Sequence, residues 1–296
     1  MPLIKKSLSD VQFGLALLIP LIFFVLALNV YPLGYSIWMS LTDYDISRGT
    51  KNFIGFRNYG EVFLGDPYFT RALGVTLRFT AEAVIMNILL GLGMALLLNE
   101  VFRGRGLMRM IALLPWSMST YAVATLFRYL TSPDVGLLSA AAQYLGLSRG
   151  PVTFLSAANA IDWVALAFSW NLAPLGAFFF LANLQVIPED LYRQAKTDGA
   201  GAIRRFRHVT LPYLRYSLLV VLLLVTLFAA TETTLIITFT GGGPGMSTHT
   251  LTYWVYVQTF TNYAFGYGSA LSWILMVIIL SIGIVYFVVL TRRRGG

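Results

Sequence analysis

Long apolar stretches dominate this chain and are separated by short polar ones. No Asp, Glu, Lys or Arg occurs from Val11 to Thr42, from Trp163 to Pro188 or from Thr233 to Thr291. A helix needs about 20 apolar residues to cross the hydrocarbon core of a bilayer, so each run is long enough to span it. The short alternating segments that are typical of a transmembrane β-barrel do not occur. The pattern therefore predicts an all-α, polytopic membrane protein.

The apolar segments define six predicted transmembrane helices. Pro20 and Pro32 lie in the first helix and are expected to bend it, which a membrane helix tolerates when its neighbours satisfy the freed backbone groups. In chain order, the predicted spans are residues 13–41, 74–98, 107–130, 157–183, 212–239 and 263–290.

The basic residues are distributed unevenly between the two sides of these spans. Cytoplasmic connections of membrane proteins carry an excess of Lys and Arg. On the side of the N-terminus, the basic residues are Lys5, Lys6, Arg103, Arg105, Arg109, Arg193, Lys196, Arg204, Arg205, Arg207, Arg215, Arg292, Arg293 and Arg294. The opposite side has Arg48, Lys51, Arg57, Arg71 and Arg149. This asymmetry predicts that both termini are cytoplasmic.

The topology divides the chain into one transmembrane domain, residues 13–290, and two short cytoplasmic ends, residues 1–12 and 291–296. Within the domain, residues 42–73 form a predicted outer loop and residues 187–214 a predicted cytoplasmic loop. The N-terminus resembles a signal peptide, but its apolar run is longer than the usual hydrophobic region of one. It also lacks a small-x-small cleavage site, so we expect an uncleaved first span.

Composition excludes several classes of site. The chain has no cysteine, which rules out disulfides and cysteine metal ligands, and its two histidines argue against a histidine metal cluster. No GxxxxGK[ST] phosphate-binding motif occurs, and the glycine-rich residues 241–245 are not followed by Lys-Ser or Lys-Thr. We therefore expect no cofactor and no catalytic residue in this chain, so any ATP that drives it must bind another subunit. The net charge of +8 reflects topology and not nucleic-acid binding.

The predicted cytoplasmic loop, residues 187–214, is the polar segment with the most recognisable pattern. Two acidic residues directly follow Pro188, and the helix dipole favours acidic residues in a first turn, so a short helix is predicted over residues 189–196. Gly199 suits the turn that ends this helix, and a second helical segment is predicted from Ala202. A short helix on a tight turn has a good shape for a groove on a soluble partner.

The same loop resembles the signature of the permease subunits of bacterial ABC importers. That signature is Glu-Ala-Ala, then a glycine, then Ile-x-Leu-Pro. The matching positions are Ala195, Asp198, Gly199, Ala200, Val209, Leu211 and Pro212. The form Asp-Gly-Ala is similar to the carbohydrate-uptake branch of the family. One departure is Arg193-Gln194, which stands where the family usually has Glu-Ala.

The resemblance extends over nearly the whole chain. Phe-Ile-Gly-Phe-Arg-Asn-Tyr at 53–59 resembles the family's first outer loop, and Leu-Pro-Trp at 114–116 resembles its third span. Thr-Gly-Gly-Gly-Pro-Gly at 240–245 resembles the maltose-transporter-type half, which pairs with a second, different permease. The resemblance implies the type I ABC importer permease fold.

Function and partners are also implied by the resemblance. The chain would import a sugar or related solute across the inner (plasma) membrane of a bacterial cell. It would pair with a second homologous permease, and two cytoplasmic ATPase subunits would bind ATP and Mg²⁺. An external solute-binding protein would deliver the solute. The residues implied in contacts with the ATPase are Tyr192, Ala195, Asp198, Gly199 and Ala200.

Polar and aromatic side chains within the spans are the candidates for solute contacts. Ionisable residues are costly inside a membrane, so Glu232, which is flanked by threonines, is a functional candidate. A sugar needs hydrogen-bonding groups for its hydroxyls and aromatic faces for its ring. The candidates for the substrate pathway are Trp170, Asn171, Glu232, Thr233, Ser272 and Trp273. The alternative is that they join helices or mark the membrane interface, as Ser, Thr, Asn and Trp commonly do.

Two other functions remain open from the residues alone. An ion-coupled secondary transporter would use intramembrane carboxylates, for which Glu82 and Glu232 are available. An intramembrane enzyme is disfavoured, because no Ser/His/Asp, cysteine or metal constellation is recognisable.

Overall fold

A computed structural model describes residues 10–291, and helices make up most of this part of the chain. The α-helices are α1 Asp10–Val25, α2 Tyr31–Ser40, α3 Arg57–Leu64, α4 Phe69–Asn99, α5 Arg105–Ser117, α6 Thr120–Leu130, α7 Leu137–Tyr144, α8 Ala160–Leu184, α9 Glu189–Thr197, α10 Ala202–Arg205, α11 Leu211–Tyr213, α12 Arg215–Ala230, α13 Thr234–Phe239, α14 Leu251–Tyr256 and α15 Phe265–Thr291. Three π-helical turns cover Leu26–Val30, Phe206–Thr210 and Val257–Thr261. The prediction of an all-α chain is confirmed.

Four helical segments within the described residues are long and apolar enough to cross a membrane, and there are six if each of two bent pairs counts as one span. The four are Phe13–Ser40, α4, α8 and α15. The bent pairs are α5 with α6, at 91°, and Ala202–Tyr213 with α12, at 70°. The four long segments lie at four of the six predicted spans, and the first bent pair lies at the third. The second bent pair overlaps the fifth predicted span, whose bounds, residues 212–239, extend past Ala230.

Each break follows from local sequence. In the third span, Pro115 lies near the end of α5, and a helix interior cannot accommodate the missing N–H of proline without losing a hydrogen bond. Ser119 then caps α6, because its Oγ accepts a hydrogen bond from the backbone N–H of Ala122 at 3.3 Å. The bend of the second pair lies at Leu214. The fifth span has a separate break further along, where α12 ends before Thr231 and α13 begins after Thr233. This leaves three polar residues outside both helices.

Proline in the first span is accommodated differently. Pro32 lies two residues after the π-helical turn Leu26–Val30. A proline ring clashes with the carbonyl four residues before it, and a wider turn relieves that clash. The same arrangement recurs at Pro212, which follows the π-helical turn Phe206–Thr210. The first span therefore remains helical through Pro32.

The described residues divide into two compact units, and the first contains the chain up to Gly65 together with Val257–Trp273. Much of the predicted outer loop lies here and is well structured. The side-chain amide of Asn58 on α3 donates to the backbone carbonyls of Ser40 and Thr42, each at 2.8 Å. Gly266 packs against the same segment, where a Cβ would lie 2.1 Å from the Thr42 carbonyl oxygen. Only glycine fits that position.

The second unit contains Asp66–Tyr256 and the chain from Ile274, and its core is built on α4 and α8. Phe79 and Phe168 meet edge to face with ring centroids 5.6 Å apart. The hydroxyl of Ser169 donates to the carbonyl of Ala83 at 3.2 Å. Near the middle of this contact the two backbones approach closely, because α4 has Gly91 there.

A glycine-rich loop, residues 240–250, folds onto α4 and α14 within this second unit. The guanidinium of Arg71 donates to the Gly245 carbonyl at 2.5 Å, and the Tyr253 hydroxyl donates to the Gly241 carbonyl at 3.0 Å. His249 is buried beside the loop, with its ring 4.8 Å from Tyr253 and 5.2 Å from Trp254. Its Nδ1 is buried without a hydrogen-bond partner.

The close approach of α4 and α8 gives a first testable prediction. A Cβ at Gly91 would lie 3.2 Å from the Ala177 nitrogen and 3.3 Å from the Ala173 carbonyl oxygen, and these backbone atoms cannot swing aside. Overpacking of this kind typically costs about 1–3 kcal/mol. We expect Gly91→Ala to lower the thermal unfolding temperature of the detergent-purified protein. Gly93→Ala is the matched control, since a Cβ at Gly93 meets nothing within 4 Å.

The buried histidine gives a second prediction. Burial lowers the pKa of His249, the nearby Arg71 lowers it further, and Asp66 raises it in part. The unfolded chain therefore binds a proton at this histidine more readily than the folded protein does. The free energy of unfolding is highest above the ordinary histidine pKa of about 6.5 and falls as the pH drops below it. We expect the unfolding temperature to fall by about 2–4 °C more in the wild type than in His249→Phe between pH 7.5 and 5.0. Equal pH dependence in both proteins would contradict this.

Candidate functional site

The predicted cytoplasmic loop contains the first candidate site, at α9 and the turn after it. The inner face of α9 is partly buried and contains Leu191, Tyr192 and Ala195. The Tyr192 hydroxyl lies 2.9 Å from the Thr210 Oγ1, so it holds the helix against the returning segment of the same loop. The opposite face is exposed and mostly charged.

Gly199 completes the turn after α9. The Ala200 N–H donates to the Ala195 carbonyl at 2.9 Å, and the Gly199 N–H donates to the Lys196 carbonyl at 3.0 Å. Together these are the two bonds of a Schellman motif, which requires a left-handed residue, and Gly199 has φ of 72°. A Cβ at Gly199 would meet nothing within 4 Å, so glycine is favoured here by backbone conformation and not by crowding inside this chain.

The unusual Arg193 makes ion pairs along its own helix. Its guanidinium lies 3.4 Å from the Glu189 carboxylate and 3.8 Å from that of Asp190. All three side chains are well exposed, so these pairs contribute at most about 1 kcal/mol each. Arg193, which stands where the resembled signature has Glu, therefore lies on the outer surface of α9 with only weak ion pairs.

The structure divides the five predicted loop residues between two environments. Tyr192, Ala195 and Ala200 are partly buried and take part in the packing or hydrogen bonding of the loop itself. Asp198 and Gly199 are exposed at the tip of the turn. Their contacts with an ATPase stay a prediction.

A cavity of about 370 Å³ in the second unit is the other candidate site. It is formed by parts of α5, α6, α8, α12 and α13 and by the breaks between them. The lining residues are Trp116, Met118, Ser119, Thr120, Val123, Phe168, Asn171, Leu172, Phe228, Thr231, Glu232 and Leu235. Of the sequence candidates for solute contact, Asn171 and Glu232 line this cavity.

The cavity lies where both broken spans interrupt their hydrogen-bond ladders. Non-helical backbone at membrane depth occurs where it is buried in protein or lines a cavity, and transporters commonly place their binding sites at such breaks. Met118 and Ser119 belong to the first break, and Thr231 and Glu232 to the second. The site combines aromatic and apolar walls with a few polar groups, as small-molecule sites usually do.

Asn171 supports the first break from across the cavity. Its side-chain amide Nδ2 donates to the Pro115 carbonyl at 2.5 Å and to the Met118 carbonyl at 3.4 Å. The Pro115 carbonyl also accepts the Met118 N–H at 3.3 Å, so the Asn171 amide adds a second donor at the end of α5. The alternative that Asn171 joins helices is therefore supported, and its position on the cavity wall adds a second possible role.

Glu232 plays a similar part at the second break. Its Oε1 accepts a hydrogen bond from the backbone N–H of Leu235 at 2.8 Å, in the first turn of α13. The neighbouring Thr231 donates its hydroxyl to the Leu227 carbonyl at 2.7 Å. The two side chains thus satisfy backbone groups near the break while lining the cavity.

The remaining substrate candidates are not among the residues that line this cavity. Trp170 packs against Phe127, with ring centroids 5.9 Å apart. Ser272 donates to the Gly268 carbonyl at 2.9 Å, and it lies with Trp273 in the first unit. Thr233 follows the cavity residues in the second break. Roles for these residues in solute contact stay predictions.

Glu82 is engaged in a charged cluster away from the cavity lining. The Arg78 guanidinium donates to the Glu82 carboxylate at 2.7 Å and also to the Asp162 carboxylate. The cluster joins α4 to α8. A carboxylate that couples transport to an ion must exchange that ion freely, and this fixed arginine partner argues against such a role for Glu82.

Several residues of the cavity wall, among them Ser119 and Thr120, were not among the predicted site residues. A signal for the break was present, because Pro115 is followed within five residues by Ser117, Ser119 and Thr120 inside an apolar span. The described part of the chain also has no group of three or more His, Cys, Asp or Glu side chains placed to hold a metal ion.

Comparisons with known proteins agree on the kind of chain this is. It is 35% identical to the trehalose/maltose transport system permease protein MalF of Thermococcus litoralis, over 98% of this chain and 97% of that protein. It is 32% identical to the sulfoquinovosyl glycerol transport system permease protein SmoG of Agrobacterium fabrum, over 97% and 93%.

A solved structure shares the fold. It belongs to a bacterial ABC transporter involved in the import of the acidic polysaccharide alginate, with a TM-score of 0.80 at 22% identity over 96% of both chains. Residues 87–294 match the family described as the inner membrane component of binding-protein-dependent transport systems. This match covers more than half of the chain, and the first relative aligns over nearly all of it. The chain therefore belongs to the family of binding-protein-dependent transport system inner membrane components.

Proposed function

We propose that this chain is the permease subunit that forms the solute pathway of an ATP-driven sugar importer in the bacterial inner membrane. The observation that carries the proposal is the cavity lined by both helix breaks in a member of a transport family. Polar groups on Asn171, Thr231 and Glu232 suit the hydroxyls of a sugar, and Trp116 and Phe168 offer aromatic faces. The named relatives include permeases for trehalose/maltose and for sulfoquinovosyl glycerol.

The proposed assembly contains four further subunits. A second homologous permease completes the pathway, two cytoplasmic ATPases bind ATP and Mg²⁺, and an external binding protein delivers the solute. A related importer structure holds a periplasmic protein bound to an alginate pentasaccharide, which supports the last of these. This chain has no nucleotide-binding motif, so it is not itself the ATPase.

Topology and coupling complete the proposal. Both termini and the loop at residues 187–214 face the cytoplasm, and the loop at residues 42–73 faces outward, as the basic residues predict. The turn at Asp198 and Gly199 enters a groove on an ATPase. Its Schellman bonds tie the turn to α9, so movement of the ATPase moves α9 and the return segment that Tyr192 holds.

Blocking the cavity tests the pathway. Thr231→Trp would place an indole in a space of about 370 Å³, and we expect it to reduce sugar uptake by proteoliposomes at least tenfold. Leu227→Trp is the control, because Leu227 lies one turn earlier, is well exposed and does not line the cavity. Uptake through Thr231→Trp equal to that of the control would exclude this cavity as the pathway.

Asparagine at Gly199 tests the docking turn. Asparagine tolerates the left-handed conformation, so Gly199→Asn keeps the turn and adds bulk only toward the outside. We expect ATPase subunits to co-purify poorly with this variant and uptake to fall at least tenfold. Gly146 is the matched control, since it has φ of 70°, the same pair of backbone bonds and nothing within 4 Å of a Cβ.

Gly146→Asn should retain both properties, because Gly146 lies on the side of the membrane that is predicted to face outward. Unchanged co-purification and uptake in Gly199→Asn would contradict the docking role. An equal loss in both variants would show that the substitution acts through folding.

A further inference from the structure

Several polar groups that line the cavity already make hydrogen bonds within the chain, and these bonds determine which of their atoms remain available to a solute. Asn171 gives its amide hydrogens to the carbonyls of Pro115 and Met118. Turning the amide over would set its oxygen against both carbonyl oxygens, so its orientation is fixed. What Asn171 can offer to a solute is therefore its Oδ1, a hydrogen-bond acceptor.

The second break adds further acceptors. The Thr231 hydroxyl donates to the Leu227 carbonyl, so its oxygen can only accept a hydrogen bond from a solute. Glu232 accepts the Leu235 N–H at one oxygen, and a carboxylate has room for further donors after one such bond. The cavity wall also has two hydroxyls, on Ser119 and Thr120, that can donate. The Ser119 Oγ already accepts the Ala122 N–H, which leaves its hydrogen for a solute.

Charge reinforces this pattern. Glu232 carries the one ionisable carboxyl on the cavity wall, and among the lining residues of the described chain there is no Lys, Arg or His. Arg78 is paired with Glu82 and Asp162, Arg128 on α6 donates to the Thr238 carbonyl, and neither side chain lines the cavity. A solute with a phosphate, sulfonate or carboxylate group would bring more acceptors and a like charge into a confined space, where like charges repel strongly.

We propose that Glu232 makes this pathway selective for uncharged, hydroxyl-rich solutes and excludes anionic sugar derivatives. This inference rests on the proposed function, since it assigns the solute class of the same cavity. Family membership does not decide the matter: one named relative is a permease for trehalose/maltose, and the solved relative imports an acidic polysaccharide. The hydroxyls of a neutral sugar donate to Asn171, Thr231 and Glu232, whereas an anionic group cannot.

The test compares three solutes that differ mainly in charge: trehalose, its 6-amino-6-deoxy derivative and trehalose 6-phosphate. Each is titrated into the purified membrane complex, with both permeases and the ATPases but without the binding protein, so that the binding protein's own preference does not enter. Quenching of Trp116 fluorescence reports binding, and Trp116→Phe identifies its share of the signal. We expect the phosphate to bind at least tenfold more weakly than trehalose, and the amine to bind at least as tightly.

Glu232→Gln is the decisive variant. Glutamine has the same shape and can still accept the Leu235 N–H, so the break stays supported while the charge is removed. We expect this variant to bind trehalose and its phosphate within about threefold of each other. Equal binding of both by the wild type, or an unchanged ratio in Glu232→Gln, would overturn the proposal that Glu232 excludes anionic solutes. It would leave the proposed pathway in place.

A different result would remove the pathway itself. If none of the three sugars quenches Trp116 and uptake proceeds normally through Thr231→Trp, the cavity is not the route. The proposed exclusion of anions by Glu232 is then contradicted as well. Binding of the phosphate in preference to trehalose would instead show that the pathway exists and selects the opposite class.

Discussion

Every peptide group that lies in hydrocarbon must find a hydrogen-bond partner within the protein, because lipid tails offer none. A continuous helix such as α4 meets this requirement by itself. The two broken spans do not, and side chains complete them: the Asn171 amide donates to carbonyls at one break, and the Glu232 carboxylate accepts an N–H at the other. Two polar residues that line the cavity, Asn171 and Glu232, thus also stabilise the interrupted backbone.

The turn after α9 solves the corresponding problem at an aqueous surface. A helix end leaves carbonyls unpaired, and the Schellman bonds of Gly199 and Ala200 satisfy two of them internally. The turn needs no water or partner to hold its shape, so it can meet a partner already formed. Arg193 does not disturb this, because its ion pairs lie along the exposed face of α9. Arg193, which stands where the resembled signature has Glu, thus lies on that surface and not in the turn.

The lengths of the apolar runs and the positions of the charged residues were enough to predict six spans, an all-α fold and the short helix at α9. They could not predict the breaks at Ser119 and Thr231, because an apolar window averages over the few residues that interrupt it. Asn171 and Glu232 were identifiable because polar groups are rare at that depth. That Trp116 and Thr120 line the same cavity could not be predicted, since this depends on the 91° bend between α5 and α6. The pairing of Arg78 with Glu82 and Asp162 likewise depends on packing between helices.

The glycine contact between α4 and α8 limits how this protein can move. At Gly91 the backbones of the two helices lie so close that a Cβ would be 3.2 Å from the Ala177 nitrogen. Sliding or rotation of α4 against α8 would bring larger residues into this contact, so the contact resists such motion. The bend between α5 and α6, the bend at Leu214 and the break at residues 231–233 have no continuous helical backbone to hold their angle. We therefore expect the α4–α8 pair to act as a frame and the interrupted segments to move against it.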